Sequence, residues 1–413
     1  MNPIKNMKIL SIETSCDETA VAILDASKES DNARFVVLGN ALYSQAEKHA
    51  KYGGVYPTLA KREHASNLAP LLETALKEAE LHKTNNNELT EEQKNYLKKL
   101  LHREEELYRA LILILKTIDK PQVDAIAVTQ GPGLEPALWV GINFARALAY
   151  VWDLPILPVN HLEGHIIASC VESVDDDQKI FFMQKTNFPI LGLIISGGHT
   201  EFVYTEKWGD YKVVGATRDD SIGEAFDKVA RLLGIPYPGG PELSRLAEHG
   251  RQILSTRPAH IMKDVKKLPR PMLLSEDLDF SFSGLKTAVL YQVQKLGELD
   301  DTQKKLFAAE FEEAVSEVIL KKFETALDRF PSSTLVLGGG VSANKHIRSC
   351  LKKKYLQEES EYTLRLPAKG LSTDNAIMIA MAGYFMHLRN EKTLSADDEL
   401  SASGNMRLEK IST

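Results

Sequence analysis

His161 and His165 stand four residues apart in the stretch Val159-Asn-His-Leu-Glu-Gly-His165. On a helix that spacing puts both imidazoles on one face, about 5–6 Å apart at Cβ, near enough to share a divalent cation. A metalloprotease helix reads His-Glu-x-x-His, with its general base directly after the first histidine. Here Leu162 takes that place, and Glu163 is turned away from the metal face. The pair suits the holding of a metal without a protease's base beside it.

The surrounding pattern predicts two similar halves. Residues 8–24 read as an apolar strand, a small polar turn and an alternating second strand, which is a hairpin signal. Residues 189–204 repeat that grammar, with Ser196-Gly197-Gly198-His199 at the turn. After each hairpin comes a strand that runs into glycines and then a helix. The first is Asp124 to Gly131-Pro-Gly133 with the helical stretch through Tyr150, and the second is Thr334 to Gly338-Gly-Gly340 with Asn344. Such a repeat predicts a duplicated α/β lobe with a central cleft. Glycine turns before helix N-termini let backbone amides approach an anion closely, so the pairs would suit a nucleotide phosphate. For Gly131 and Gly133 a plain tight connection serves equally well. Three glycines at 338–340 exceed what a turn needs.

Residues 83–120 interrupt this plan. Asn85 to Asn87 form a polar loop, Thr90-Glu-Glu-Gln93 fits a capping box, and Leu97, Leu101, Leu107, Leu111 and Leu115 recur at roughly helical spacing. An inserted helix or helical hairpin is expected, its bland reading being a surface decoration. In bulk the 413 residues are 43% hydrophobic and 26% charged, ordinary for a soluble globular protein of two or three domains. No apolar run is long enough to span a bilayer. The first residues show neither a signal-peptide core nor a transit segment, and Cys16, Cys170 and Cys350 are scattered without a CxxC. A reducing, cytoplasmic setting is therefore expected, with no membrane partner. The net charge of −7 argues against a stand-alone nucleic-acid binder, but leaves local basic runs. Lys263, Lys266, Lys267 and Arg270 form the candidate polyanion surface, with Arg348 and Lys352 to Lys354 a second run.

These stretches, taken in order, resemble the bacterial TsaD type of tRNA threonylcarbamoyladenosine transferases, once called O-sialoglycoprotein endopeptidases. The matching segments are Ile12-Glu-Thr-Ser-Cys-Asp-Glu-Thr19, Tyr52-Gly-Gly-Val55, Gly131-Pro-Gly-Leu134, His161-x-x-x-His165, Ser196-Gly-Gly-His-Thr200, Gly223-Glu-Ala-Phe-Asp-Lys228, Tyr237-Pro-Gly-Gly-Pro241, Asp279-Phe-Ser-Phe-Ser-Gly-Leu-Lys286, Gly338-Gly-Gly-Val-Ser-Ala-Asn344 and Ser372-Thr-Asp-Asn375. The resemblance implies an actin/Hsp70/sugar-kinase-like fold of duplicated, ribonuclease H-like lobes. It implies transfer of a threonylcarbamoyl group from threonylcarbamoyl-adenylate to N6 of adenosine 37 in tRNAs reading ANN codons, with release of AMP. TsaB- and TsaE-like proteins would be its partners.

By the same match, His161, His165 and Asp374 resemble the metal ligands, for Fe(II) by preference or Zn(II). Ile194, Ile195, Ser196, Gly197 and Gly198 resemble the phosphate-side hairpin. Asp227 falls where a carboxylate would accept the ribose hydroxyls, Gly240 beneath the nucleoside, and Asn344 at the adenine end. Asp17 and Glu18 are candidates for taking the proton from the attacking amine. The expected first lobe is 1–157, with the 83–120 insertion and a C-terminal return at 382–413. The second lobe, 158–381, would carry most metal and nucleotide contacts. Two departures from the family pattern stand out: Glu135-Pro136 after the first glycine turn, and the length of the insertion. Three rival readings are a metalloprotease, a sugar-kinase-like ATPase on the same fold, and a non-catalytic partner subunit.

Overall fold

The computed structural model describes residues 6–29, 32–85, 88–256, 265–357 and 360–409. Its contacts divide the chain into two units. The first comprises Met1–His49, Val55–Thr186 and Ala368–Leu408, and the second Ala50–Gly54, Asn187–Pro367 and Glu409–Thr413.

The first unit opens with strands β1 (Met7–Glu13), β2 (Glu18–Glu29) and β3 (Asn32–Ser44). Helices α1 (Ala46–Ala50), α2 (Pro57–Glu78), α3 (Glu91–Leu100) and α4 (Glu105–Thr117) follow. Next come β4 (Ala125–Gly131), α5 (Glu135–Trp152), β5 (Ile156–Asn160), α6 (His161–Ser169), β6 (Val171–Ser173) and β7 (Ile180–Met183). One seven-stranded sheet results, ordered β5-β4-β1-β2-β3-β7-β6. β1 is buried along nearly its whole length because both of its faces are covered. Leu10 and Ile12 join the core shared with α2 and α5, while Ser11 on the other face donates to the Ala376 carbonyl at 2.7 Å.

The second unit contains β8 (Ile190–Ile195), β9 (Thr200–Lys207), β10 (Asp210–Ala216), α7 (Ile222–Leu232), α8 (Gly240–Thr256), α9 (Ser283–Leu296), α10 (Asp301–Arg329), β11 (Thr334–Gly338), α11 (Lys345–Tyr355) and β12 (Thr363–Arg365). Its sheet runs β10-β9-β8-β11-β12. The two topologies superpose in words. β1-β2-β3 and β8-β9-β10 are antiparallel meanders, and β4 with β5, and β11 with β12, add parallel strands beside the first strand of each. The duplicated lobe expected from the hairpins and glycine turns is thus present strand for strand.

The boundary falls later than the expected 158. β5 pairs with β4, and β6 and β7 extend the sheet beyond β3, so the first unit runs to Thr186. The return begins at Ala368 rather than 382, since α12 (Ala376–Leu388), apolar and buried almost all round, lies against β1 and β2. Both histidines and Asp374 consequently belong to the first unit.

The insertion is a helical hairpin closed at its base by the Thr84–Ile118 bridge. Thr90 and Gln93 form the expected capping box, while Asn86 and Asn87 lie outside the described residues. It is no mere decoration. Leu97, Leu101, Leu107, Leu111 and Leu115 are all buried in the core beneath α2 and α5. Replacing Leu97, which is 0% exposed, by Ala should therefore cost roughly 2–5 kcal/mol in denaturant unfolding. Leu113→Ala on the exposed side of the same hairpin should change stability by less than about 0.5 kcal/mol. Equal small effects at both positions would mean that the hairpin is not part of the core. No helix among the described residues is long and apolar enough to cross a membrane.

Candidate metal centre and glycine loop

The sequence Asn160-His161 places an N-cap where β5 ends. Asn160 Oδ1 accepts from the amides of Leu162 and Glu163, starting α6 with His161 as its first residue. The whole helix is buried, so the two imidazoles point into protein. Their rings lie 4.7 Å apart, centroid to centroid, at 87°. Asp374, just before α12, brings Oδ1 within 3.3 Å of His161 Nε2 and 3.1 Å of His165 Nε2. Bonds of about 2.0–2.2 Å to one ion would put neighbouring ligand atoms roughly 2.9–3.5 Å apart. The three residues therefore fit a single metal, and among the described residues no other group of three such side chains converges in this way.

Sequence reasoning missed the residue behind them. Glu13, at the end of β1 and 0% exposed, sets Oε2 2.9 Å from His161 Nδ1 and also accepts from Thr129 Oγ1 at 2.7 Å. A carboxylate on the outer nitrogen leaves Nε2 as the ligand atom and makes it more basic. Glu13 had been legible only as part of the Glu-Thr-Ser-Cys motif. Burial opposes charge at every member of this group. Asp374 and Glu13 nevertheless hold the His161 imidazole well above its usual range, and His161 holds Asp374 well below the carboxylate range. Burial pulls His165 the other way, toward the neutral form. With two carboxylates against one imidazolium, the pocket carries net negative charge and favours a cation. Glu163, the nearest acid on the helix, is paired with Arg389 at 2.9 Å, so the missing protease base is not restored from there.

Asp17 ends the turn between β1 and β2, and Glu18 opens β2. The Asp17 carbonyl accepts the Gln45 amide, and Glu18 Oε1 meets Ser44 Oγ at 3.4 Å. Burial and the neighbouring Asp17 push Glu18 up to about 9, so it carries a proton at neutral pH. Burial and Asp17 likewise raise the Cys16 thiol, which makes it a poor nucleophile.

In the second unit the predicted residues gather around the exits of β8 and β11, the end of a parallel pair where α/β folds bind ligands. Ile194 and Ile195 end β8. Ser196 closes the turn, its Oγ accepting from the amides of Gly198 and His199. Gly339, at φ +86°, lies where a β-carbon would come within 2.5 Å of the Ile195 carbonyl, so the two strand exits touch there. A β-carbon at Gly197, Gly198 or Gly340 would meet nothing within 4 Å. Protein packing does not demand glycine at those three positions. Asp227 lies one helical turn beyond Gly223, and its Oδ1 accepts the amides of Gly239 and Gly240 at 2.8 and 3.0 Å, capping α8. Asn344 caps α11 through the Ile347 amide and donates to Ser244 and Glu312, so its side chain already has three partners.

Two sequence expectations change. The turn at Gly131 and Gly133 is filled by the chain itself, since β-carbons there would lie 2.0 Å from the Ser403 carbonyl and 2.6 Å from the Ser15 carbonyl. The basic run at 263–270 is not a continuous surface. The Arg270 side chain is 7% exposed and paired with Glu310 and Glu317 at 2.5 and 2.8 Å. Lys263 lies outside the described residues, which leaves Lys266 and Lys267 exposed. Arg348 is likewise turned inward, onto the Ser342 and Pro367 carbonyls.

The ligand set predicts that His165→Ala reduces bound divalent metal to background, as read by elemental analysis of the purified protein. Glu13→Gln should keep all three ligands but weaken metal affinity about 10–100-fold. Wild-type affinity in Glu13→Gln would remove Glu13 from the centre.

The family model described as TsaD, tRNA N6-adenosine threonylcarbamoyltransferase, matches residues 36–88 and 102–381. A Bacillus anthracis protein named tRNA N6-adenosine threonylcarbamoyltransferase is 38% identical, over 95% of this chain and 95% of its own. One of the same name from Chromobacterium violaceum is 40% identical, over 91% and 92%. Among solved structures, full-length HypF in a phosphate- and nucleotide-bound form is similar over 94% of this chain and 47% of that chain, with TM-score 0.48 and 12% identity.

Proposed function

Since the chain belongs to the TsaD family of tRNA N6-adenosine threonylcarbamoyltransferases, we infer that its donor is threonylcarbamoyl-adenylate and its acceptor N6 of adenosine 37 in tRNAs reading ANN codons. The enzyme is a transferase that modifies tRNA. The observation that carries the finer reading is the His161–His165–Asp374 cluster, braced by Glu13, with Glu163 of the same helix tied up by Arg389. Two imidazoles and one carboxylate form the donor set typical of Fe(II), with Zn(II) the alternative. An ion held there supplies Lewis acidity toward a carbonyl oxygen.

The chain's own residues do the rest. Glu13 fixes the tautomer of His161. The hairpin turn Ser196-Gly197-Gly198 receives the adenylate phosphate, with the Gly197 amide as donor, and the open space over Gly197 and Gly198 leaves room for it. Asp227 takes the ribose hydroxyls, and Gly240 and Asn344 bound the nucleoside. In the transfer, N6 attacks the carbamoyl carbon and the carbon–oxygen bond to phosphate breaks. AMP leaves with the electron pair, and the amine proton passes to Asp17. Glu18, already protonated, serves as a hydrogen-bond donor at the start of β2. No covalent enzyme intermediate is required, in keeping with the raised Cys16 thiol. We place the reaction in the cytoplasm, with TsaB- and TsaE-like proteins as partners.

Full-length protein given threonylcarbamoyl-adenylate, unmodified tRNA and metal should yield modified nucleoside and AMP in equal amounts without ATP. ATP cleavage in place of transfer would favour the kinase-like reading, and peptide cleavage the protease. Asp227→Asn keeps an acceptor for the α8 amides while removing the charge. It should weaken AMP binding by roughly 1.5–3 kcal/mol in calorimetric titration. An unchanged dissociation constant would leave Asp227 as a helix cap alone.

A further inference from the structure

Two departures from the family pattern meet in one place. Residues 89–101, which the family model skips, form α3, and Glu135-Pro136 begin α5. Between them lies a cavity of about 820 Å³ within the first unit. Lys61, Tyr96, Lys99, Arg103, Trp139 and Arg146 line it. Its acidic groups do not cancel these cations. Glu104 is buried and tied to Lys61 at 2.8 Å, and the exposed Glu135 and Asp397 are outnumbered by Lys99, Arg103 and Arg146.

Lys99, in the last turn of α3, and Arg103, on the turn before α4, are exposed and pair with no described carboxylate. Arg146 reaches across from α5, with its Nε on the Ala396 carbonyl. Trp139 is half-buried in the wall. Cations flanking an aromatic face make up the chemistry that binds single-stranded nucleic acid: phosphates meet the charges and a base stacks on the ring. The substrate of this family is a polyanion, and a chain of net charge −7 must meet it through local positive surface. The run ending at Arg270 is reduced to Lys266 and Lys267 among the described residues, because Arg270 is internally paired.

We propose that this cavity is an accessory tRNA-binding site, in which an unstacked base lies against Trp139 and flanking phosphates contact Lys99 and Arg103. The proposal rests on the transferase reading and adds a second contact, remote in sequence from the glycine loop. α3 is then the element by which this chain extends the family's grip on its substrate.

The test compares full-length wild type with Lys99→Glu/Arg103→Glu in tRNA binding across a salt series. Two lost phosphate contacts should lower the slope of log K against log salt by about 1.4–1.8 and weaken binding at least tenfold at low salt. Trp139→Leu should weaken binding about five- to a hundredfold with the slope unchanged. AMP binding should be the same in all three proteins. A control, Lys295→Glu/Lys392→Glu, makes the same charge change on exposed residues outside the cavity and outside the basic runs, and should keep the wild-type slope. Wild-type affinity and slope in the first variant overturn the proposal, as does an equal loss in the control. If that variant binds tRNA normally but loses a co-purifying protein, the cavity is a protein interface and the proposal fails. If wild type itself transfers nothing to tRNA, the transferase reading fails instead.

Discussion

Glu13 is wholly buried, and its carboxylate accepts from His161 Nδ1, Thr129 Oγ1 and the Ser15 amide. A buried carboxylate is costly unless it is both hydrogen-bonded and paired. Each of the three donors comes from a different piece of the fold: α6, β4 and the turn after β1. One ionised group thus sets α6 against β1 and its parallel neighbour β4. Asp374 arrives from the far end of the sequence and faces both histidines from the other side. The imidazole of His161 is held between two carboxylates, so its orientation does not depend on solvent. An apolar replacement at position 13 could fill the space but could not choose the nitrogen that faces the metal.

The two copies of the lobe have the same strand order yet use their glycines for opposite ends. After β4, Gly131 and Gly133 let Ser403 and Ser15 come close, and the chain fills its own turn. After β8 and β11, one glycine serves packing, while Gly197, Gly198 and Gly340 face open space. The first copy has spent its turn on internal cohesion and carries the candidate metal ligands. The second keeps room at the strand exits, where backbone amides can meet a ligand. Duplication supplied two equivalent scaffolds, and side-chain changes at a few positions divided the tasks.

Much of this was legible in the sequence because it is written locally. The hairpins at 8–24 and 189–204, the Thr90 capping box and the His161–His165 spacing each depend on neighbours within a few residues. What escaped depends on partners far along the chain. The contact between Glu13 and His161 spans 148 residues, and no periodicity announces it. Arg270 looked like surface because Glu317, 47 residues on, is invisible to a local reading. Asp227 was expected to meet a ligand, yet its role as a cap for α8 follows from the turn at Gly239 and Gly240. The domain boundary was misplaced because β6 and β7 are too short to read as strands, and α12 is too uniformly apolar to show which lobe it covers.

The order in which these residues emerge during synthesis has a consequence for metal loading. His165 and Asp374 are separated by 209 residues. At about 5–20 residues per second, the third ligand appears some 10–40 s after the pair on α6. Asn160, which caps α6, also donates to the Arg407 carbonyl, and Leu394 pairs with the edge of β5. Residues 394–407 therefore brace the start of the helix that carries the candidate ligands. A nascent chain carries two histidines without their carboxylate or their brace.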